Sequence, residues 1–385
     1  MDYFLTEKQI MIRELAREIA EGKILPIRAE LDEKQEFPHE IMRVLAQADL
    51  FRIFIPEEYE GLGMGSLELC IAVEELSRIC LGVSTTYAAN ALGAYPILLY
   101  GSEAQKKKYL PDIASGKRLT AFALTEPQAG SDAGGIQTTA RLEGNEYAIN
   151  GTKQWITNGG EAEIYTVIAM TDKAKGPRGA TAFIVEKGTE GFSFGKKENK
   201  MGIRASSTRE LIFEDCRIPR ENLIGREGMG FIIAMKTLDN SRTGVGAQGV
   251  GVAQGAFEAA VSFAKERQQF GHPIISFQAI QHMLADMAIQ IEAARSLVYA
   301  VARYIDSGAK DISKESAMAK VFATDVAMRV TIDAVQVMGG AGYMKEYPVE
   351  KMMRDAKILQ IYEGTNQIQR NVIGQALIKE TAKRK

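Results

Sequence analysis

Histidine and cysteine are scarce in this chain of 385 residues, which contains three of each. No two of them have the spacing of a zinc site, and a histidine-based catalytic triad is hard to build from so few. The three cysteines are best interpreted as buried free thiols, which are typical of a protein in a reducing compartment. Any chemistry must therefore come from carboxylates or from a cofactor.

Long apolar runs and an excess of one charge are also lacking. No apolar run approaches the ~20 residues that span a bilayer. The net charge of −2 gives no electrostatic reason to expect nucleic-acid binding. The first residues, MDYFLTEKQI, do not have the basic and apolar segments of a signal peptide. We therefore expect a cytoplasmic protein that does not bind nucleic acid and does not span a membrane.

Local patterns divide the sequence into three regions, and its length also favours two or three domains. Residues 1–120 and 227–385 have helical periodicity, whereas residues 121–226 alternate short apolar runs with turns. The middle runs lie too close together for crossover helices, so their sheet should be largely antiparallel. The predicted class is α+β multidomain: an N-terminal all-α domain, a middle antiparallel β domain and a C-terminal helical bundle.

Several boundaries can be predicted from local signals. Thr6 and Gln9 form a potential capping box, and Gly22 and Pro26 should end the helix that follows it. Pro96 should interrupt another helix. Gly144 should sit in the connection of a hairpin. In the C-terminal region, three long helices are expected over 230–267, 277–305 and 314–338.

Gly244, Gly246 and Gly249 have the spacing of a dinucleotide-binding loop. That interpretation needs a strand before the glycines, but the preceding segment FIIAMKTLDNSR is itself helix-like. Each glycine lowers helix propensity by about 1 kcal/mol, so a compensating close approach is expected. We predict a thin helix against which another helix or a cofactor packs.

Two segments could contact a flat heteroaromatic ring. The loop LTEPQAGSD, residues 124–132, clusters hydroxyl and backbone N–H groups around Pro127 and Gly130. In QWITNGG, residues 154–160, the only tryptophan stands beside a hydroxyl and a Gly-Gly turn. Taken alone, the first segment could equally be a simple turn and the second a core tryptophan at a strand end.

A third segment places a carboxylate next to a glycine. Gly339 and Gly340 should end a helix, and Glu363-Gly364 is followed by Thr365, a potential N-cap of the next helix. Such a carboxylate could face a ligand pocket. It could equally belong to a solvated loop.

In this order and spacing, the three segments resemble the acyl-CoA dehydrogenase family. The resemblance runs from Leu5-Thr6 to Gln369-Arg370 and includes DNSR (239–242) and ERQQFG (266–271). KMGIRASST, FEDCRIP and IYEGTNQIQ are most similar to the short-chain, butyryl-CoA-like branch. Gln128, where many members have glycine, is a mild departure. The resemblance implies a C-terminal four-helix bundle, a homotetramer, FAD as the cofactor and electron-transfer flavoprotein as the acceptor.

The resemblance also implies roles for individual residues. Glu363 would be the catalytic base that removes the α-proton of an acyl-CoA thioester, and Ser241 stands where some members have that carboxylate instead. The residues that would contact FAD are Phe122, Leu124, Thr125, Ser131, Trp155, Ile156, Thr157, Arg267, Phe270, Gln278, Gln336, Gly339, Gly340, Thr365 and Gln367. The residues that would contact the substrate are Ser131, Asp239, Arg242, Gly364, Tyr87, Leu92 and Tyr95.

The acyl group is not determined by these motifs. Tyr87, Leu92 and Tyr95 should limit the depth of the acyl pocket, which favours butyryl-CoA first and a branched or alicyclic group such as cyclohexanecarboxyl-CoA second. Glutaryl-CoA would need a cation where Val83 stands, so it should be a poor substrate. A flavin oxidase on the same fold and a non-catalytic acyl-CoA-binding protein are the alternatives. Among the oxidases, Glu363 argues against nitroalkane oxidase, which uses aspartate at this position. A non-catalytic protein would lack the base, and Glu363 is present.

Overall fold

The computed structural model describes residues 3–383, and its N-terminal region is helical. Its helices are α1 (Glu7–Ile19), α2 (Arg28–Lys34), α3 (His39–Gln47), α4 (Ser66–Ile79), α5 (Leu81–Tyr100) and α6 (Glu103–Ala114). The capping box is confirmed, because the Thr6 hydroxyl accepts from the Gln9 N–H and the Gln9 side chain accepts from the Thr6 N–H.

One predicted helix end is confirmed and another is wrong. A π-helical segment, Ala20–Ile24, continues directly from α1 and has Leu25 as its C-cap, so the first helix ends between Gly22 and Pro26 as predicted. Pro96 lies inside α5, which runs on to Tyr100. An internal proline disfavours a helix by about 3 kcal/mol, but α5 is buried along most of its length, and that packing outweighs the local preference.

The middle region forms one sheet. Its strands are β1 (Thr120–Ala123), β2 (Thr139–Glu143), β3 (Glu146–Thr157), β4 (Ile164–Met170), β5 (Ala180–Glu186), β6 (Phe192–Lys197), β7 (Thr208–Pro219) and β8 (Leu223–Ile224). The order is β6-β7-β3-β2-β4-β5-β8, with β1 beside β4. The pairing is largely antiparallel, as predicted, except that β1 and one residue pair of β2 run parallel to β4. Gly144, with φ of 63°, lies in the predicted hairpin between β2 and β3.

The C-terminal region contains α7 (Gly230–Glu266), α8 (Gln278–Asp306), α9 (Ser313–Met338), α10 (Pro348–Ala356) and α11 (Asn366–Lys383). The three long helices match their predicted ranges to within one residue at each end. A short hairpin of β9 (Gln268–Gln269) and β10 (His272–Pro273) joins α7 to α8. Helix α9 packs against α7, α8 and α11, which makes it the centre of this helical region.

The glycine series lies in the middle of α7, with no strand before it, so it is not a dinucleotide-binding loop. A Cβ on Gly249 would lie 2.8 Å from the Ala323 carbonyl oxygen of α9. A Cβ on Gly255 would lie 2.0 Å from the Arg78 carbonyl oxygen of α4. The glycines therefore let two helices approach α7 closely, and the prediction of close helix packing is confirmed. Within residues 3–383, no helix has both the length and the apolar character needed to cross a membrane.

Candidate active site

A cleft of about 400 Å³ lies where the three regions meet. Its walls come from α5, the segment after β1, the end of β3, α7 and the loop before α11. Every middle-region residue that the sequence predicts to contact a flavin lines this cleft: Phe122, Leu124, Thr125, Ser131, Trp155, Ile156 and Thr157. Glu363, Gly364, Arg242 and Leu92 line it as well. The structure therefore brings the candidate base and these residues to one space.

A buried ion pair fixes the 124–132 loop. Lys153, whose side chain is wholly buried, donates to the Glu126 carboxylate over 2.7 Å and to the Leu124 carbonyl oxygen over 2.9 Å. The carboxylate also accepts from the backbone N–H groups of Gln137 and Thr138. Burial lowers the pKa of Lys153 to about 8. For Glu126, burial acts to raise the pKa, but Lys153 and the backbone donors prevail and hold it below its usual value.

Trp155 is not a core residue, since 57% of its surface is exposed. The pairing of β3 with β7 shifts between Lys153 and Ile156, and Trp155 has a φ of 58°. Left-handed backbone at a large side chain is strained and is concentrated at functional sites. Here the bulge places the indole at the wall of the cleft. Asn158 anchors the segment by donating to the carbonyl oxygens of Thr86 and Thr120.

The loop that carries the candidate base, residues 362–365, has two consecutive left-handed residues. Glu363 has a φ of 53° and Gly364 a φ of 92°. The φ of 92° at position 364 strongly favours glycine, and a Cβ there would also lie 2.2 Å from the side-chain amide nitrogen of Gln369. The Thr365 hydroxyl accepts from the Ile368 N–H at 3.2 Å, which confirms the predicted N-cap of α11.

The environment of Glu363 raises the pKa of its carboxyl group above the value of a glutamate in water. Burial raises its pKa, while a hydrogen bond from Ser241 and the charges of Arg242 and Lys320 act in the opposite direction. The Ser241 hydroxyl donates to Glu363 Oε2. Ser241 stands where some members of the resembled family have their base, and it thus touches the candidate base Glu363.

Asp239 does not line the cleft but holds Arg242, whose guanidinium lies 2.7 Å from its carboxylate. Both side chains are almost completely buried. Burial lowers the pKa of Arg242. Asp239 therefore acts on the cleft through Arg242.

A second, much smaller cavity of about 20 Å³ adjoins Glu363. It shares Ala88, Gln248 and Glu363 with the large cleft, and Tyr95 is part of its wall. Tyr87 lines neither cavity: it is buried and donates to the Leu50 carbonyl oxygen over 2.7 Å. Of the three residues predicted to limit acyl depth, Leu92 and Tyr95 lie at the cavities and Tyr87 lies behind them.

The remaining predicted FAD contacts lie away from the cleft. Arg267, Phe270, Gln278, Gln336, Gly339, Gly340 and Gln367 are exposed, and neither they nor the partly exposed Thr365 line it. Phe270 is 91% exposed. One chain alone does not bring this set to the cleft. Among residues 3–383, no cluster of His, Cys, Asp and Glu could hold a metal ion.

Sequence reasoning missed two buried lysines near the site, Lys153 and Lys320. Lys320 is wholly buried and donates to the Gly364 carbonyl oxygen over 2.9 Å. Neither residue stands in a recognisable motif, and a lysine in a helix or strand is usually exposed. Lys153 does lie next to the QWITNGG segment, which was the one available signal.

Family comparisons match nearly the whole chain. The acyl-CoA dehydrogenase N-terminal, middle and C-terminal domain families match residues 6–117, 121–216 and 228–378. A short-chain-specific acyl-CoA dehydrogenase from Clostridium acetobutylicum is 50% identical over 97% of this chain and 98% of its own length. An acryloyl-CoA reductase (NADH) from Anaerotignum propionicum is 49% identical over 98% of this chain and 96% of its own length.

Solved structures agree with these matches. Butyryl-CoA dehydrogenase from Megasphaera elsdenii has a TM-score of 0.96 at 49% identity, covering 98% of this chain and all of its own. A chain from the structure described as the electron transferring flavoprotein of Acidaminococcus fermentans has a TM-score of 0.96 at 53% identity, covering 98% and 99%. An acyl-CoA dehydrogenase from Bacillus anthracis complexed with FAD has a TM-score of 0.93 at 38% identity, covering 99% and 68%.

Proposed function

Because the chain belongs to the acyl-CoA dehydrogenase family, we propose that it removes two hydrogens from the Cα–Cβ bond of a short-chain acyl-CoA, with Glu363 as the base. The enzyme is an FAD-dependent oxidoreductase. One observation carries the assignment of the base. Glu363 lines the same cleft as all seven middle-region residues predicted to contact the flavin.

The residues of the cleft are suited to FAD. Thr125 and Thr157 offer hydroxyl groups, and the exposed face of Trp155 offers an aromatic surface on which a flat ring can pack. When bound, FAD supplies the acceptor for the hydride that leaves the β-carbon. The protein supplies the base, the placement of the substrate and the exclusion of water.

The chemical problem for Glu363 is that a thioester α-proton is a very weak acid. Its raised pKa makes the carboxylate a stronger base and narrows that gap. A backbone N–H donor to the thioester oxygen, such as that of Glu363, would stabilise the developing negative charge by about 1.5–3 kcal/mol. The hydrogen bond from Ser241 fixes the direction of the carboxylate.

The small cavity beside Glu363 supports a short, uncharged acyl group. A cavity of this size holds about one water or methyl-sized group. Among the described residues that line the two cavities, Arg242 is the only basic one, and it is already paired with Asp239. A distal carboxylate would find no partner there. We therefore propose butyryl-CoA as the preferred substrate, cyclohexanecarboxyl-CoA as the second choice and glutaryl-CoA as a poor substrate.

Reduction of a 2-enoyl-CoA is a second candidate function, since a relative 49% identical to this chain is an acryloyl-CoA reductase. The same geometry serves both directions, because a carboxyl group with a raised pKa retains a proton that it can return to the α-carbon. The two directions can be distinguished by measuring two rates in the presence of the electron-transfer flavoprotein. One is the rate of butyryl-CoA oxidation, and the other is the rate of acryloyl-CoA or crotonyl-CoA reduction.

The proposed partner is an electron-transfer flavoprotein, which the chain from the Acidaminococcus fermentans structure supports. A homotetramer is proposed from the family and from the predicted FAD contacts that one chain leaves on its surface. A cytoplasmic location is proposed as well, and the three buried, free cysteines are consistent with a reducing compartment.

Anaerobic mixing of the FAD-loaded protein with a panel of acyl-CoAs tests the proposal. Bleaching of the flavin by butyryl-CoA, and by none of the long-chain thioesters at comparable rate, is the expected result. A protein that binds no FAD, or is bleached by no acyl-CoA, contradicts it. Stoichiometric hydrogen peroxide with air as the sole acceptor would instead identify a flavin oxidase.

A further inference from the structure

Lys320 lies directly behind the base loop, residues 362–365, and is wholly buried within α9. Its amine donates to the Gly364 carbonyl oxygen over 2.9 Å and to the Asn366 side-chain oxygen over 2.8 Å. Asn366 in turn donates to Thr324 and Asp325 of α9. Burying a lysine is unfavourable unless its hydrogen bonds are made, and here they join α9 to the loop that carries Glu363.

Peptide groups on both sides of Gly364 are held by side chains. The Glu363 carbonyl oxygen accepts from Gln369 at 3.1 Å and from Arg242 at 3.4 Å, and the Gly364 carbonyl oxygen accepts from Lys320. Each peptide group is planar, so fixing its carbonyl oxygen fixes the whole plane. A glycine is otherwise the least restricted residue of a chain. Lys320 thus removes freedom at the residue that determines where Glu363 points.

The two residues also interact through their charges. The charge of Lys320 acts to lower the pKa of Glu363, against the effect of burial. Burial lowers the pKa of Lys320 itself to about 7, so it carries its proton below that pH. The other titratable or charged groups around the pair are Arg242 and Asp239 of α7, Tyr95 of α5, Cys70 of α4, Tyr362 of the base loop, Asp325 of α9 and Arg370 of α11.

We propose that Lys320 is a positioning residue for the dehydrogenation: through the Gly364 carbonyl oxygen it holds the left-handed base loop that aims Glu363 into the cleft. The inference rests on the proposed function. Lys320 itself lines neither cavity and does not contact the reacting atoms.

Lys320→Met removes the donor and the charge at similar volume. We expect the rate of flavin reduction by butyryl-CoA to fall about 10- to 100-fold, as for the loss of a hydrogen bond to a charged group, with KM nearly unchanged. The acid limb of the kcat profile should move to higher pH. Lys320→Gln keeps an N–H donor without the charge, so it should lose less rate yet show the same shift of the acid limb.

Lys351→Gln is the matched control. Lys351 is also buried, but it pairs with Asp355 and lines neither cavity. It should lower the melting temperature and leave kcat and the acid limb unchanged. If Lys320→Met does not fold, Lys320→Gln decides the outcome. Rates within threefold of the wild type together with an unmoved acid limb overturn the proposal.

Hydrogen exchange separates this inference from the proposed function. The backbone amides of residues 362–366 should exchange faster in the FAD-loaded Lys320 variants than in the wild type and in Lys351→Gln. This readout needs no turnover. A wild type that no acyl-CoA bleaches would refute the proposed function, whereas equal exchange in all proteins would refute the role of Lys320 in holding the loop.

Discussion

The predicted flavin contacts fall into two sets with very different surroundings. The inner set lines the cleft with Glu363 and is supported from behind by the buried Lys153–Glu126 pair. It consists of Phe122, Leu124, Thr125, Ser131, Trp155, Ile156 and Thr157. The outer set, represented by Arg267, Phe270 and Gln278, is exposed and lines neither of the two cavities described above. The comparison teaches that the fold of a single chain brings the inner set and the candidate base together, whereas it does not bring the outer set to them.

Removing the carboxylate is the most severe test of the inner set. Glu363→Gln should keep FAD but slow flavin reduction by butyryl-CoA about 10⁴-fold or more, because proton abstraction has no substitute. Stopped-flow absorbance under anaerobic conditions measures this. A loss below tenfold would exclude Glu363 as the base. As a control, Ser241→Glu with Glu363→Gly should restore some activity, because the Ser241 hydroxyl already touches the Glu363 carboxylate.

The same variant makes a prediction about pH and stability. The folded state raises the pKa of Glu363, so it binds this proton more tightly than the unfolded state. Wild-type stability should therefore fall as the pH rises above the ordinary glutamate value and through the raised one. Glu363→Gln removes this contribution. Its melting temperature should exceed that of the wild type by more at pH 8 than at pH 5, and an equal difference at both would contradict the raised pKa.

The support behind the inner set can be broken separately. Lys153→Met leaves the Glu126 carboxylate buried without its partner and should destabilise the protein by about 3–5 kcal/mol in chemical denaturation. Adding Glu126→Gln should recover part of the loss, because it removes the buried charge. Lys34→Met, which breaks an exposed pair with Glu30, serves as the control and should change little. If Lys153→Met and Lys34→Met lower the free energy of unfolding equally, the buried pair does not support the loop.

The outer set should affect cofactor affinity rather than chemistry. Arg267→Ala should weaken FAD binding about 10- to 100-fold, as for one hydrogen bond to a charged group, while excess FAD restores kcat. Lys265→Ala, which removes a neighbouring exposed cation, should leave affinity unchanged. Fluorescence titration of the apoprotein measures both. If excess FAD does not restore kcat, Arg267 affects the chemical step as well, and the distinction between the outer and inner sets fails.

The smallest expected effects concern the acyl group. Each buried methylene of the acyl chain contributes about 0.8 kcal/mol to binding until the pocket is full. We therefore expect kcat/KM to rise about fourfold per carbon up to the optimum length and to fall beyond it. Tyr95→Ala, which enlarges the small cavity, should move the optimum from C4 towards C6. Tyr87→Phe should not move it, since Tyr87 lines neither cavity. An optimum at C8 or longer, or efficient oxidation of glutaryl-CoA, would contradict the proposed pocket.

Local signals in the sequence were sufficient for much of the fold. The bounds of α7, α8 and α9 could be predicted because helical periodicity and flanking glycines act within a few residues. The N-caps at Thr6 and Thr365 depend on side chains three residues away. Pro96 is the instructive failure. Its local preference was clear, but burial of α5 outweighed it.

The sequence by itself determined the three regions, the long helices, the N-caps and, through the resemblance, the motifs that carry the site, because these depend on short stretches of chain. Only the tertiary structure decided that Lys153 and Lys320 are buried, since their partners Glu126 and Gly364 lie 27 and 44 residues away. It also separated Tyr87 from the cavities and divided the predicted flavin contacts into an inner and an outer set. A hydrogen bond between distant residues leaves no periodicity in the sequence, so a buried lysine there looks like an exposed one.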